Sequence, residues 1–344
     1  FNFTKNIEIP KNYNGSFNFN SYGYNKNYDT NITESVITND FLFNSNDYVN
    51  KKGIITNYEL LFKNSNSYSN NSANFKENGS HNLYGKLKID TSFPMKKKTE
   101  LYTNYLKPIA SLRYSPNGNN DISSKDIFLN YDSVFNLNRI GTTYEVEGGE
   151  SLSLGLEFRK QDNNNKDLIN FNLANVLRLD ENIYLPEKTK LNNKRSDIFG
   201  NLNYNLNNHL DLGYFFSFDK DLKYSNLEGL NLDLSLNNFF TNIYYYAEDN
   251  DLGNKETVRN KSDFLINKEH KISFDISKDL LDDFTQYYDL IYEYKNDCLS
   301  LSLNYNKSFY SDGNLEPSKS LSFLIKIIPF TELGVSNIGN VINK

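Results

Sequence analysis

Tryptophan is absent from the 344 residues, and cysteine and methionine occur once each. A single thiol excludes any disulfide within the chain and removes the paired-cysteine zinc and redox motifs. The histidines, His81, His209 and His270, are scattered with no partner at metal-ligand spacing, and no GxSxG, HExxH or P-loop pattern occurs. No catalytic residue, metal or cofactor is therefore expected, and the chain reads as a non-enzyme. Long apolar runs are also missing. Without a stretch of roughly 18 apolar residues, no helix can span a bilayer. The mean hydropathy of -0.66 excludes a helical membrane protein only, because a transmembrane barrel alternates lipid-facing with lumen-facing residues and averages to a polar composition. Blocks of one charge are lacking too: the net charge is -6, and Lys96-Lys97-Lys98 is too short for a nucleic-acid patch and reads as a solvated turn. The chain opens at Phe1 with neither Met nor a charged-then-apolar leader, so an N-terminal portion is expected to have been removed.

Asparagine is the commonest residue, which together with the missing Trp reads as codon bias in an AT-rich genome. An Asn-rich disordered tract is disfavoured by the 26 Tyr and 25 Phe, since disordered segments are poor in aromatic and β-branched residues. An Asn-rich β-solenoid would show a short fixed repeat, and none is visible. Period-two alternation dominates instead. From Leu299 the chain reads LSLSLNYN, and residues 230–236 read LNLDLSL. Leu210, Leu212, Tyr214, Phe216 and Phe218 repeat the design, as do Leu152, Leu154, Leu156 and Phe158.

A soluble antiparallel sheet alternates in the same way. The segments here run about 9–11 residues, the length a tilted strand needs to cross a bilayer, whereas ordinary strands average about 5–6. Counting from residues 1–9 to 320–328 gives roughly 16–18 candidate strands, and no helix-period segment interrupts them. Residues 205–210 read as a tight turn, and residues 179–195 and 248–261 as long polar connections. Aromatics such as Tyr244-Tyr245-Tyr246, Tyr287-Tyr288 and Phe309-Tyr310 fall near inferred strand ends, where amphipathic rings favour the headgroup level; a soluble sheet favours the same residues. The polar faces carry Glu157, Asp233, Asp275, Glu293 and Lys326, whose burial needs a wet lumen or a polar plug. The expectation is an all-β, antiparallel transmembrane β-barrel of the outer membrane over residues 1–330, with residues 331–344 as a C-terminal tail. A general porin or other transport barrel is the alternative function on this fold.

Four segments resemble the LPS-assembly outer-membrane protein family, LptD (organic solvent tolerance protein), most closely its alphaproteobacterial members. Residues 106–116 (LKPIASLRYSP) look like a proline-bounded strand before a variable loop. Residues 138–155 (NRIGTTYEVEGGESLSLG) resemble the signature in which Asn-Arg precedes an acidic-Gly-Gly turn and a Gly-containing strand. Tyr144-Glu145 stands here where Asp-Arg is usual, and Ser151 where Arg is common. Residues 195–222 resemble the next strand pair. Residues 294–334 are similar to the family's acidic-Cys strand, Phe-containing loop and closing strand ending near Leu-Gly.

The resemblance implies a C-terminal barrel portion of a larger barrel of about 26 strands, integral to the Gram-negative outer membrane. It implies lipopolysaccharide as cargo, the plug lipoprotein LptE and the periplasmic bridge protein LptA as partners, the latter through an N-terminal domain, and no nucleic acid. It implies a lateral seam beside Leu321, Ser322, Phe323, Leu324, Ile325, Lys326, Ile327 and Pro329, through which the lipid enters the outer leaflet. Pro329 lacks a ladder donor, so it weakens pairing at a seam or simply ends the strand. The resemblance also implies a disulfide from Cys298 to the N-terminal periplasmic part; the alternative is a small buried apolar residue. In the motif turn of Arg139, Glu147, Gly148 and Gly149, the glycines read as left-handed backbone or as a direct lipid contact.

Overall fold

A computed structural model describes residues 1–7, 14–72, 75, 77, 79–116, 118–207, 209–250, 253–309, 317–327 and 331–335. These divide into two compact units, one of residues 1–166, 170–200 and 217–224 and one of 167–169, 201–216 and 225–344. The chain is all-β. Helix among the described residues is confined to α1 (Tyr131–Val134) and one 3-10 turn at Glu187–Thr189.

The first unit contains β1 (Asn2–Ile7), β2 (Gly15–Tyr28), β3 (Ile32–Ser45), β4 (Tyr48–Val49), β5 (Ile55–Asn70), β6 (Ser80–Ser92), β7 (Met95–Lys98), β8 (Tyr102–Ser115) and β9 (Gly149–Asp162). These form an antiparallel meander, β1 on β2, β2 on β3, β3 on β5, β5 on β6, β6 on β8 and β8 on β9. Most of β10 (Asp167–Arg178) and the start of β11 (Arg195–Asn205) belong to the same unit. The second unit contains β12 (Leu210–Phe218) in large part, β13 (Ser225–Leu236), β14 (Phe239–Asn250), β15 (Gly253–Leu265), β16 (His270–Asp279), β17 (Phe284–Lys295), β18 (Leu299–Ser308), β19 (Lys319–Ile327) and β20 (Thr331–Val335). From β13 onward each pairs antiparallel with the next.

Twenty strands are present among the described residues, but two are continuations. β4 follows β3 along β5, and β7 keeps the register of β6 along β8. Between β6 and β7 stands Pro94, which has no N–H to give the ladder. Eighteen wall strands remain, within the span expected from the sequence, and most are long enough to cross a bilayer.

Which face is covered decides what kind of sheet this is. Along β5, Phe62 is 61% exposed and its neighbour Lys63 only 4%. Phe62 stands opposite Phe41, which stands opposite Phe19, with the Phe19 and Phe41 rings 4.8 Å apart, so an apolar rib crosses the bare face. One residue along, Lys63 stands opposite Asp40 on the covered face and binds it at 2.6 Å. In β8, Leu112 and Tyr114 are exposed while Ser111, Arg113 and Ser115 are buried. The second unit alternates likewise in β16, where Ile272 and Phe274 are exposed and Ser273 is buried. A water-soluble sheet buries the opposite set. Apolar outside and polar inside is the arrangement of a barrel wall in lipid, and the fold is an antiparallel transmembrane β-barrel.

Several expectations are corrected. Residues 248–250 and 253–261 do not form a loop but belong to β14 and β15, because charges oppose each other across the pair (Glu248 with Lys255) and the Tyr245 hydroxyl donates to Glu256 at 2.9 Å. For the same reason Tyr244, Tyr245 and Tyr246 lie inside β14 and not at its end. Lys96–Lys98 is no turn but β7, exposed and paired with residues 103–105 of β8, with the Lys96 ammonium over the Tyr105 ring. Pro108 lies inside β8, opposite Leu156, and does not bound that strand. Thr331–Val335, in the segment assigned to a tail, pair as β20 with Phe323–Ile327. β19 is accordingly not the last strand among the described residues; it is paired on both sides over that stretch.

A charge on the bare face should be costly in the bilayer. Leu112→Lys in the full-length protein is expected to lower folding stability in lipid vesicles by about 2–4 kcal/mol, read by denaturant titration. An unchanged midpoint would contradict the assignment of that face to lipid.

Candidate functional site

Between β8 and β9 lies the longest connection of the first unit, and its described residues 118–148 fold onto the polar face of that unit's strands. The loop carries its own apolar anchor. Ile122, Leu129, Tyr131, Val134 and Ile140 pack with Ala174 and Val176 of β10, Phe199 of β11, and Leu185 and Leu191 of the β10–β11 connection, all fully or almost fully buried. Within the loop, Asn130 caps α1: its side chain accepts from the Ser133 N–H, and the Ser133 hydroxyl accepts in turn from the Asn130 N–H. Phe135 leans on the partly buried edge of this core. Gly155 of β9 makes room for it, since a Cβ there would lie 2.4 Å from the Phe135 ring.

Beside this anchor is a buried charge cluster centred on Glu147. Arg139 Nε and Nη2 donate to its two oxygens at 2.7 and 2.5 Å. Arg178 of β10 donates to Glu147 Oε1 at 2.5 Å and to the Gly148 carbonyl at 2.6 Å. Lys86 of β6 stands 3.8 Å from Glu147 Oε2. Arg113 of β8 donates to the Ser153 hydroxyl at 2.9 Å and to the Asn136 carbonyl at 3.0 Å. Arg139 also reaches Ser153 and Ser151 of β9, at 2.9 and 2.8 Å. Burial pushes the Glu147 carboxyl toward neutrality, but Arg139, Lys86 and Arg178 overcome it and hold the group well below the usual carboxylate range.

The motif residues seen in the sequence thus meet: Arg139 and Glu147 form the ion pair, Gly148 offers its carbonyl to Arg178, and Gly149 adopts a left-handed φ of 88° at the start of β9. A Cβ on Gly149 would also lie 2.8 Å from Arg178 Nη2. The two departures from the family signature have partners of their own. Ser151 accepts from Arg139, and Glu145 accepts from the Tyr84 hydroxyl at 2.7 Å and the Asn120 amide at 2.6 Å. Sequence reasoning missed Lys86, Arg113 and Arg178. Their signal was a basic residue at an inward position of an alternating strand, as in the LRY of β8.

Other expected residues lie elsewhere. Cys298 is free and exposed in the turn between β17 and β18, its N–H held by Asn296 Oδ1 at 2.9 Å, which corrects the reading as a buried apolar residue. Leu321 to Ile327 lie in β19 of the second unit, and Pro329 and Tyr310 fall outside the described residues. His81, His209 and His270 bond separately to Asn66, Ser235 and Tyr292. No group of three potential metal ligands occurs among the described residues.

The model of one protein family, LptD (LPS transport system D), matches residues 48–278, about two thirds of the chain and the whole of the loop and its cluster. The chain belongs to the LptD family. It is accordingly an integral outer-membrane β-barrel of a lipopolysaccharide-transport family. No curated protein matches it. Solved structures with which the chain aligns include a mutant porin of Rh. blastica (TM-score 0.33, 10% identity, 97% of this chain and 100% of that one). A triple mutant of the Rhodopseudomonas blastica porin matches at TM-score 0.33 and 10% identity over 97% and 100%, and an engineered protein of asymmetric conductivity at TM-score 0.32 and 10% identity over 94% and 99%.

Removing the Glu147 charge strands three buried cations, so Glu147→Ala is expected to cost about 3–5 kcal/mol and to raise hydrogen exchange in residues 118–148. A protein as protected as wild type would show the cluster to be idle. The pH dependence has a definite sign. Because the folded pKa lies below the ordinary 4.5, the stabilisation is present above pH 4.5 and is lost progressively as pH falls from there through the lower folded value. Loop protection should therefore hold from pH 7 down through pH 4.5. Gly155→Val should displace Phe135 and loosen the same peptide without disturbing the Glu147 cluster.

Proposed function

We propose that the chain forms wall strands of an outer-membrane lipopolysaccharide translocon, carrying the sugars of the lipid along the polar inner face and releasing the lipid sideways into the outer leaflet. The observation that carries this reading is the pairing of two facts on one molecule: membership of a lipopolysaccharide-transport family and an inner face lined with charged and hydroxyl side chains. No catalytic step is needed, since the work is passage of an amphiphile between two phases.

The lateral seam belongs, in this reading, to the C-terminal strands. Leu321 to Ile327 of β19 lie one strand in from β20, so the side-opening edge is the β19–β20 pair and not β19 alone. The complete wall would include further strands, as the family resemblance implies, with an LptE-type lipoprotein as partner and LptA delivering the lipid through a periplasmic domain. Cys298 fits the same scheme. Its turn shares one end of the second unit with the short turns 237–238 and 266–269, since each is reached after two further strands, and short turns face the periplasm in such barrels. An exposed thiol there is open to a cysteine of a periplasmic domain in an oxidising compartment.

Three measurements test the proposal. Depleting the protein in its host should strand lipopolysaccharide at the inner membrane, whereas a general porin would leave its distribution unchanged. Locking β20 to the first strand of the complete barrel with an engineered disulfide should stop surface delivery until a reductant is added; continued export would refute the seam. Mass spectrometry of the non-reduced full-length protein should find Cys298 in a disulfide, and an unmodified thiol would end that assignment.

A further inference from the structure

The Glu147 cluster divides by origin. Lys86, Arg113 and Arg178 stand on wall strands β6, β8 and β10, while Glu147 and Arg139 arrive with the loop. Three buried cations thus pair with one carboxylate, and a fourth, Arg113, shares Ser153 with Arg139 beside them. A latch of that kind needs one cation, and each surplus buried charge costs stability without a partner. Two polar atoms of the wall set are left over: Lys86 Nζ and Arg113 Nε are buried and make no hydrogen bond. Arg113 also stands directly opposite Lys88 across β6 and β8, a like-charge placement that strands avoid. Lys88 is answered by Glu59 and Asp90 at 2.8 and 2.7 Å; Lys86 has only the shared pull of Glu147, and Arg113 has that of Glu147 together with the same Asp90 and Glu59 that already answer Lys88. The wall is built for more negative charge than the loop supplies.

We infer that Lys86, Arg113 and Arg178 form a site for a phosphate group, which the Glu147 carboxylate of the β8–β9 loop fills as a displaceable stand-in. A phosphate monoester carries about -1.5 to -2 charges and three acceptor oxygens, against one charge and two oxygens for the carboxylate, so it matches three converging cations better. When phosphate enters, Glu147 leaves with the Arg139 guanidinium, and the stretch of the loop around Glu147 loosens from the inner face while the apolar anchor stays. The passing lipid opens its own path. The inference rests on the transport reading above, which supplies a phosphorylated glycolipid as the anion.

The test uses the full-length protein, with any lipoprotein partner bound, and hydrogen exchange of residues 118–148 as readout. Diphosphoryl lipid A should raise exchange in the loop, while dephosphorylated lipid A with the same acyl chains should bind without raising it. Inorganic pyrophosphate separates the sources: loop release by it alone assigns recognition to the phosphate, and release only by the phosphorylated lipid adds a need for the acyl chains. Glu147→Gln removes the competing charge and should lower the half-saturating lipid concentration roughly tenfold, the worth of one charge-assisted hydrogen bond. Lys86→Met, at a nitrogen that makes no hydrogen bond, should raise it by about as much, and it carries the test alone if Glu147→Gln loses heat-modifiable gel migration. Equal loop release by both lipids, or affinities indifferent to these substitutions, would overturn the inference and leave the transport reading standing. Failure of both lipids to bind would overturn both.

Discussion

The constraint on which the structure depends is the absence of water from the hydrocarbon core. Backbone groups that find no partner there are too costly to keep, so each strand must give its full ladder to its neighbours, and the meander of long antiparallel pairs follows. The same constraint sorts side chains by parity. Phe62 and Lys63 are adjacent in β5, yet one faces lipid and the other is buried against Asp40. A strand of period two cannot do otherwise, and it does so here with the sign opposite to a soluble sheet.

Sending the polar residues inward creates a second problem, since lysines and arginines on the inner face of the first unit must be hydrated or paired. The β8–β9 loop answers it in two ways at once. Its apolar residues build a small core on β10 and β11, where Ala174, Val176 and Phe199 break the polar character of the inner face. Its buried carboxylate Glu147 draws together cations from two strands, Lys86 of β6 and Arg178 of β10. The loop is held by grease on one side and charge on the other, a combination in which the ionic part is exchangeable for another anion and the apolar part is not.

The strand pattern was legible because parity is local. LSLSLNYN and LNLDLSL announce strands wherever they fold, and eighteen wall strands emerge where 16–18 were counted. Boundaries were less legible where polar residues run on. Residues 248–261 look like a loop from their charges, and 248–250 and 253–261 become strands only because Glu248 finds Lys255, and Tyr245 finds Glu256, across the pair. The motif around Arg139 and Glu147 was visible as a pattern, whereas its partners Lys86 and Arg178 lie far away in the chain.

By itself, then, the sequence determined what each strand must present to its two sides, because alternation is written in consecutive residues and needs no partner to be read. It also determined that one thiol has nothing to pair with inside this chain. Which side is covered, and by what, belonged to the tertiary structure alone. Neither the folding of the β8–β9 loop onto the inner face nor the meeting of Glu147 with cations from β6 and β10 can be inferred from neighbouring residues. Such contacts depend on where distant strands fall in the ladder, and register is a property of the assembled sheet.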